Sequence, residues 1–268
     1  AGHMGGALLN GWLSGRGAGK IDPQDILIID PSPGEAAKNA LELGARFATE
    51  LTTGAASGLK LCLLAIKPQL FDKIGADLAE ALPQDVLIVS IMAGINLDSL
   101  NRVFAPRPLV RAMPNTPAAY GQGITAYICS ENVSPDQQAL AELRLKAGGK
   151  VVPLVTERQI DMVTAVSGSG PAYVFYLTET LEAAGKKLGL PDDIARELAR
   201  QTVIGSGVML DKSEREASDL RKAVTSPGGT TEAALELLSG EDGLAVLMRR
   251  AVKAAYVRSR ELGGEKLL

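Results

Sequence analysis

The stretch LKLCLLAIKPQLFDKIGADLAEALPQDVLIVSI, residues 59–91, contains two apolar runs separated by a helical pattern. The runs at 59–66 and 85–91 are almost continuously apolar, which is typical of parallel strands covered on both faces. Between them, residues 68–82 have the spacing of an amphipathic helix. A strand, a helix and a second strand in this order predict a β–α–β unit, and hence an open α/β sheet.

The same alternation extends over the first half of the chain. We predict further strands at 25–30, 108–113, 124–130 and 150–155, with helices at 33–44, 96–104 and 134–149. From Thr156, which begins a capping-box pattern with Gln159, no strand pattern is found, and we predict helices at 157–166, 171–188, 192–211, 213–223, 231–239 and 242–262. The sequence therefore predicts an α/β domain over residues 1–156 and an all-helical domain over residues 157–268.

Composition excludes several classes of function. The 268 residues are 46% hydrophobic, with a net charge of -3 and a pI of about 5.4, so no basic face suited to nucleic acid is expected. No apolar run is long enough for a membrane span, and the two cysteines, Cys62 and Cys129, lie in apolar strand-like runs, as expected of buried thiols in the cytoplasm. With a single histidine, His3, and no cluster of metal ligands, no metal site is predicted.

The N-terminal sequence AGHMGGALLNGWLSG begins as a loop and continues as a helix predicted from about Gly5 to Ser14. Gly2 and Gly5 match the last two glycines of the dinucleotide-binding pattern G-x-G-x-x-G. The first glycine and the strand before it would then be missing. The alternative is that Gly-His-Met is a remnant of cloning.

Three segments that follow predicted strands are candidates for cofactor binding. Asp30 ends one strand, where a carboxylate favours the ribose of NAD over a 2′-phosphate, although Asp-Pro also starts turns and Ser32 could accept the phosphate. Lys67 ends another strand, at the edge where open α/β sheets bind ligands, but a solvated lysine is the simpler interpretation. Asn115 lies in a stiff loop between two prolines, which could face a nicotinamide ring or merely connect two elements.

Two glycine-rich turns interrupt the helical half. SGSGP at 167–171 predicts a break between helices, with small residues that permit close approach of a ligand or another helix. SPGGTT at 226–231 precedes a good helix-forming sequence and predicts a helix N-terminus with unpaired N–H groups, which can bind an anion.

Taken together, the motifs AGHMGGALL, AIKPQ, MPNTP, SGSGPAYVF and VTSPGGTT, in this order, resemble the pyrroline-5-carboxylate reductases. The resemblance covers residue 1 to about residue 262 and departs from the family only at the missing first strand and glycine. It implies a Rossmann-type dinucleotide-binding domain, then a helical dimerisation domain. It also implies reduction of a cyclic imine carboxylate by NADH or NADPH, with Asp30 favouring NADH.

The resemblance also implies the roles of individual residues. The substrate carboxylate would bind the backbone N–H groups of Gly229 and Thr230, with Ser226 and Gly228 alongside. Thr231 would be the active-site threonine that hydrogen-bonds the ring nitrogen, although it could serve only as a helix cap. The implied cofactor-binding residues are Gly2, His3, Met4, Gly5, Asp30, Ser32, Ala65, Lys67, Pro68, Met113, Asn115 and Ser169.

The family resemblance implies a homodimer, sometimes assembled into a larger ring, in which helices of the partner contribute to the site. Three alternatives remain open from the sequence. A β-hydroxyacid dehydrogenase needs a catalytic lysine, but residues 157–185 contain none. An inert dinucleotide-binding module would have no use for a carboxylate site. A reductase of another cyclic imine would differ only in the shape of its pocket.

Overall fold

The computed structural model describes residues 2–17 and 20–264. The strands are β1 (Leu27–Ile29), β2 (Arg46–Ala48), β3 (Leu61–Leu64), β4 (Leu87–Ser90), β5 (Leu109–Met113), β6 (Gly123–Cys129) and β7 (Gly149–Pro153). The helices are α1 (His3–Ser14), α2 (Glu35–Glu42), α3 (Thr53–Ala56), α4 (Pro68–Ala81), α5 (Leu97–Phe104), α6 (Pro135–Leu145), α7 (Gln159–Val163), α8 (Gly170–Lys187), α9 (Asp192–Lys212), α10 (Ala217–Ala223), α11 (Thr230–Leu238) and α12 (Leu244–Leu262).

The strands form two sheets. A five-stranded sheet has the order β3-β4-β5-β6-β7, and β1 pairs with β2 in a separate parallel pair. Strands β3, β4 and β5 are parallel as predicted, but β6 runs antiparallel to β5. The connection from β5 to β6 holds only a short 3-10 turn, Thr116–Tyr120, whereas a parallel neighbour needs a crossover of a dozen or more residues. The predicted open α/β sheet is therefore mixed, with one antiparallel pairing.

Apolar side chains cover both faces of the five-stranded sheet. On one face, Phe71 of α4 and Phe104 of α5 pack in a cluster with Ile88 of β4. On the other face, Leu8 of α1 and Leu145 of α6 pack with Val110 of β5. Strand β4 is buried along its whole length, as its continuous apolar sequence predicts.

Helix α1 also connects the five-stranded sheet to the two-stranded pair. Its Trp12 is partly buried against the cluster on the large sheet and against a second cluster that contains Ile28 of β1 and Ala40 of α2. The Trp12 Nε1 atom donates to the Arg144 carbonyl oxygen at 2.8 Å. These contacts fix the C-terminal end of α1 beside both sheets. The missing first strand, inferred from the glycine pattern, stays a prediction.

Arg107 is a buried charged residue that caps the C-terminal ends of two helices, α4 and α5. Its guanidinium donates to the carbonyl oxygens of Ala79 and Leu82 at 2.6 Å each, and to those of Pro83 at 2.8 Å and Phe104 at 3.3 Å. Pro83 lies four residues after Ala79 and has no N–H, so the Ala79 carbonyl cannot receive its usual helical bond. Arg107 replaces that donor and places a positive charge at the C-terminal ends of α4 and α5.

The chain divides into two compact units. The first contains residues up to Ser169 together with the segment from Ala255 onward, and the second is Gly170–Ala254. Within the second unit, all of which the structure describes, Ala195 and Ala199 are the only fully buried residues. Large apolar side chains on its helices stay exposed, including Phe175, Ile204 and Leu237. This unit therefore does not close a hydrophobic core of its own.

Several predicted helix boundaries needed correction. Helix α1 begins at His3 rather than Gly5, and α10 begins at Ala217 rather than 213. The predicted capping box is half formed, because the Gln159 side chain accepts from the Thr156 N–H while no side chain caps the start of α7. Within the described residues, no helix combines the length and the apolar character needed to cross a bilayer.

Candidate active site

The N-terminus of α1 is an uncapped helix end of the kind that binds phosphate. Gly2 is the N-cap residue in an extended conformation, and no side chain bonds to this helix end. The first helical bond runs from the Gly6 N–H to the Gly2 carbonyl oxygen at 2.7 Å. The N–H groups of His3, Met4 and Gly5 precede it and are the natural donors to an anion.

Asp30 follows β1 directly, as predicted, and its carboxylate takes part in a local turn. Its Oδ1 atom accepts the N–H of Ser32 at 2.9 Å, so the turn interpretation of Asp-Pro holds. Ser32 is exposed and Asp30 is half-buried. Contact of this carboxylate with a ribose hydroxyl stays a prediction.

Two further predicted cofactor segments lie at one edge of the five-stranded sheet. Because β3, β4 and β5 are parallel and Leu64, Ser90 and Arg111 are in register, the carboxyl ends of these strands meet at the same edge. Ala65, Lys67 and Pro68 follow β3, with Lys67 exposed at the start of α4. Met113 ends β5. Open α/β sheets bind ligands at this edge.

The motif SGSGP separates two helices as predicted, and the residues before the break form a π turn that was not predicted. Residues Thr164–Gly168 form a π-helical turn between α7 and α8, in which the Ser169 N–H donates to the Thr164 carbonyl oxygen at 2.8 Å. The hydroxyls of Thr164 and Ser167 bond back to the carbonyl oxygens of Ile160 and Val163 at 2.8 and 3.1 Å. Such single π turns occur often at functional sites.

Asn115 connects this π turn to the loop after β5. Its Nδ2 atom donates to the Ser167 carbonyl oxygen at 3.1 Å, and its Oδ1 atom accepts the Ile124 N–H at 2.8 Å. Its side chain is buried. The Asn115 carbonyl oxygen accepts the Ala118 N–H at 3.1 Å, and contact of this loop with a nicotinamide ring stays a prediction.

An ion pair that was not predicted from the sequence joins the buried Arg111 to the half-buried Glu157 beside these segments. Arg111 on β5 donates to Glu157 Oε1 at 2.7 Å, and the same oxygen accepts the Leu97 N–H at the start of α5, also at 2.7 Å. Arg111 is 4% exposed, and its Nε atom has no hydrogen-bond partner among the described residues. The pair is separated by 46 positions in the chain. The one available signal was a charged residue inside an otherwise apolar strand.

The turn before α11 has the predicted form, with one correction to its donors. Gly228 has a φ of 71°, a conformation that favours glycine, and its N–H donates to Glu232 Oε2 at 2.6 Å. The Gly229 N–H donates to the Ser226 carbonyl oxygen at 3.0 Å, so it is used inside the turn. The backbone donors that precede the first helical bond therefore begin at Thr230, one residue later than predicted.

Thr231 lies in the first turn of α11 and is half-buried. No side chain caps this helix, so the capping role that the sequence left open for Thr231 is not used. Among residues 2–17 and 20–264, no partner is found for its hydroxyl or for the adjacent N–H groups of Thr230 and Thr231, so a ligand could bind them. Ser226 is exposed.

The predicted residues thus form two groups. The cofactor group, from Gly2 to Ser169, belongs to the first compact unit, and the substrate group, from Ser226 to Thr231, belongs to the second. Across residues 2–17 and 20–264, no three His, Cys, Asp or Glu side chains are arranged to hold a metal ion.

Comparison with known proteins gives this arrangement a family. Residues 157–262 match the family described as pyrroline-5-carboxylate reductase dimerisation, and residues 1–94 match the family described as NADP oxidoreductase, coenzyme F420-dependent. A pyrroline-5-carboxylate reductase of Pseudomonas aeruginosa is 41% identical over 263 residues, which are 98% of this chain and 94% of the relative. One from Synechocystis is 44% identical over 209 residues, covering 78% of this chain and 77% of the relative.

Solved structures agree with these relatives. The pyrroline-5-carboxylate reductase of Coxiella burnetii superposes with a TM-score of 0.88 at 32% identity, over 97% of this chain and 95% of that one. The pyrroline carboxylate reductase of Plasmodium falciparum, solved with NADP bound, has a TM-score of 0.79 at 27% identity, over 98% and 95% of the two chains. With these identities over nearly the whole length, the chain belongs to the pyrroline-5-carboxylate reductase family.

Proposed function

We propose that this protein reduces 1-pyrroline-5-carboxylate to L-proline with NADPH or NADH, the last step of proline biosynthesis. The observation that carries the proposal is the start of α11. There, unpaired N–H groups and the free hydroxyl of Thr231 stand side by side in a chain of this family. The substrate carries its carboxylate on the ring carbon next to the ring nitrogen. The N–H groups can therefore bind the carboxylate while the Thr231 hydroxyl bonds the nitrogen.

The first compact unit has donors that fit a dinucleotide. The uncapped N-terminus of α1 offers the N–H groups of His3, Met4 and Gly5 to the pyrophosphate, and Gly2 adds no side chain that would obstruct it. Ala65, Lys67 and Pro68 would line the ribose-phosphate side, and Met113, the Asn115 backbone and Ser169 would approach the nicotinamide. When bound, the reduced cofactor supplies a hydride.

Asp30 and Ser32 would contact the adenosine ribose. The half-buried Asp30 carboxylate favours an unphosphorylated ribose, and the Ser32 hydroxyl can accept a 2′-phosphate, so both cofactors remain in the proposal. The NADP bound to the Plasmodium falciparum relative supports NADPH.

The second compact unit would hold the substrate. The N–H groups of Thr230 and Thr231 bind the carboxylate, with Ser226, Gly228 and Gly229 shaping the turn, and the Thr231 hydroxyl bonds the ring nitrogen. Hydride adds to the imine carbon, a C–H bond forms, and the C=N π electron pair moves to the nitrogen. Because that nitrogen is already protonated, the product amine forms without a general acid. The protein contributes position and fixed dipoles.

The chain is expected to act as a homo-oligomer. The dimerisation family matches 157–262, and the second compact unit leaves its large apolar side chains exposed. We propose a homodimer that can assemble into a ring of dimers, and a functional domain boundary at residue 156. We further propose a cytoplasmic location, since Cys62 and Cys129 are both free thiols.

Oxidation of NADPH and of NADH by the purified protein, with and without pyrroline-5-carboxylate, tests the proposal. We expect oxidation that requires the imine and yields proline. Turnover of a six-membered cyclic imine carboxylate alone would identify a different imine reductase. Dinucleotide binding with no oxidation on any cyclic imine would identify an inert module and refute the proposal.

A further inference from the structure

The π turn at Thr164–Gly168 leaves one backbone acceptor without its helical donor. In an α-helix, the Ser167 carbonyl would accept the N–H of residue 171, but that residue is proline and has no N–H. A buried or half-buried carbonyl oxygen without a hydrogen-bond donor destabilises the conformation in which it is left unpaired. The turn therefore depends on a donor from elsewhere in the chain.

Asn115 supplies that donor. Its Nδ2 atom lies 3.1 Å from the Ser167 carbonyl oxygen, and its own position is fixed because Oδ1 accepts the Ile124 N–H at the start of β6. The residue is only 9% exposed. Both ends of the amide are thus engaged within the protein, so the side chain acts between two segments of the chain.

The other end of the same segment is fixed independently. Glu157, just before α7, bonds to Arg111 of β5 and to the Leu97 N–H. On α7 itself, Asp161 accepts the Ser259 hydroxyl at 2.6 Å. The segment is therefore anchored before and along α7, and Asn115 anchors it again at the π turn, two residues before Ser169.

We propose that Asn115 is a positioning residue for hydride transfer. Resting on the proposed function, this role follows from what the amide connects. On one side is the loop after β5, with Met113 and the Asn115 backbone, and on the other is the turn that leads into Ser169. These are the segments assigned to the nicotinamide, and the amide fixes the spacing between them. Hydride transfer is sensitive to displacements of about 1 Å, so a loosened turn slows the chemical step more than it weakens cofactor binding.

The test is the nearly isosteric variant Asn115→Asp, which keeps the acceptor for Ile124 and replaces the donor to Ser167 with a carboxylate oxygen. The matched control is Asn132→Asp. Asn132 is exposed, donates from Nδ2 to the Pro106 carbonyl oxygen at 2.8 Å, and accepts the Ser130 hydroxyl. Steady-state kinetics, the isotope effect from 4-deuterated NADPH and amide exchange over 160–170 are measured on all three proteins.

For Asn115→Asp we expect kcat to fall about 10- to 100-fold, with a larger isotope effect and a dinucleotide KM within about threefold of wild type. Amide exchange over 160–170 should accelerate about tenfold, whereas Asn132→Asp should resemble wild type in every measurement. An unchanged kcat would overturn the positioning role. A loss of dinucleotide affinity that accounts for the whole effect would overturn it too, in favour of direct cofactor contact.

Amide exchange also covers the case in which the variant folds poorly. If exchange accelerates throughout the first compact unit, the effect of Asn115 is general stability, and the positioning role is overturned. A second variant, Asn115→Ser, removes the reach to Ser167 without adding charge and should reproduce the slower hydride transfer. If the wild-type protein itself shows no imine-dependent turnover, the proposed function fails, whereas normal wild-type turnover with an unaffected Asn115→Asp rejects this inference alone.

Discussion

Replacing Arg107 with methionine should destabilise the first compact unit without touching either group of site residues. The guanidinium is 2% exposed and donates to four carbonyl oxygens at the ends of α4 and α5. Two of them keep another donor, because the Pro83 carbonyl accepts the Val86 N–H and the Phe104 carbonyl accepts the Arg107 N–H. The carbonyls of Ala79 and Leu82 depend on the side chain.

The expected loss of stability follows from the two carbonyl oxygens, those of Ala79 and Leu82, that lose their hydrogen-bond donor. Each buried carbonyl without a donor costs about 1–3 kcal/mol, and removing a buried charge returns part of that cost. We therefore expect a net loss of about 3 kcal/mol in the free energy of unfolding. For a domain of this size, that corresponds to a fall in Tm of about 6–12 °C. Arg107→Lys keeps the charge but not the planar fork and should lose about half as much.

The assay is thermal and urea unfolding followed by circular dichroism, at one fixed protein concentration because an oligomer's Tm depends on it. Arg102→Met is the control, since Arg102 lies on the exposed side of α5 and, within the described part of the chain, bonds only to the Ser99 hydroxyl at 2.9 Å. Its effect should stay within about 0.5 kcal/mol. A Tm for Arg107→Met within about 2 °C of wild type would refute the reasoning, as would an equal fall in the control.

Three further changes probe the proposed site through steady-state kinetics. Thr231→Ala should lower kcat/KM for the imine about 10- to 100-fold with an unchanged Tm, because a hydrogen bond to a charged ring nitrogen is lost. Thr231→Ser should keep most of the wild-type kcat/KM, and full activity in the alanine variant would remove Thr231 from the site. Asp30→Ser should raise the NADPH-to-NADH ratio of kcat/KM about tenfold by removing a like charge, and an unchanged ratio would leave Asp30 as a turn residue only. Glu232→Gln should lower KM for the imine about 3- to 10-fold, because the Glu232 carboxylate repels the substrate carboxylate at the N-terminus of α11. The control Glu236→Gln, farther along the helix, should leave KM unchanged, and equal effects of the two variants would exclude a local repulsion.

The elements that the sequence predicts best are those whose pattern is set by burial. Strand β4 is buried at every position, and its continuous apolar run identified it. Strand β2, Arg46–Ala48, was missed because two of its three residues are exposed and no alternation is visible in so short a segment. The direction of β6 was missed because an apolar run is the same in parallel and antiparallel strands, and the signal lay instead in the connection from β5, which is too short for a parallel crossover.

In the candidate site, features encoded by adjacent residues were predicted from the sequence, whereas contacts between residues far apart in the chain were not. Uncapped helix N-termini follow from glycine and proline at fixed offsets, so the starts of α1 and α11 were predicted from a few adjacent residues. The pairing of Arg111 with Glu157 depends on the packing of α7 against β5, and no local pattern encodes it. The π turn was predicted as a break, because Pro171 shows only that a helical bond is missing and not that Asn115 replaces it.

The near absence of buried residues in Gly170–Ala254 also bears on how the protein behaves in a cell. In the proposed homodimer, such a segment would exclude water through contact with the partner chain, so its stability would depend on protein concentration as well as on sequence. If that proposal holds, newly made chains would complete the first compact unit before the second, which would wait for a partner chain. Activity per molecule should therefore rise with expression level until assembly is complete. Heterologous production at low yield would then give a protein that binds dinucleotide and turns over little substrate.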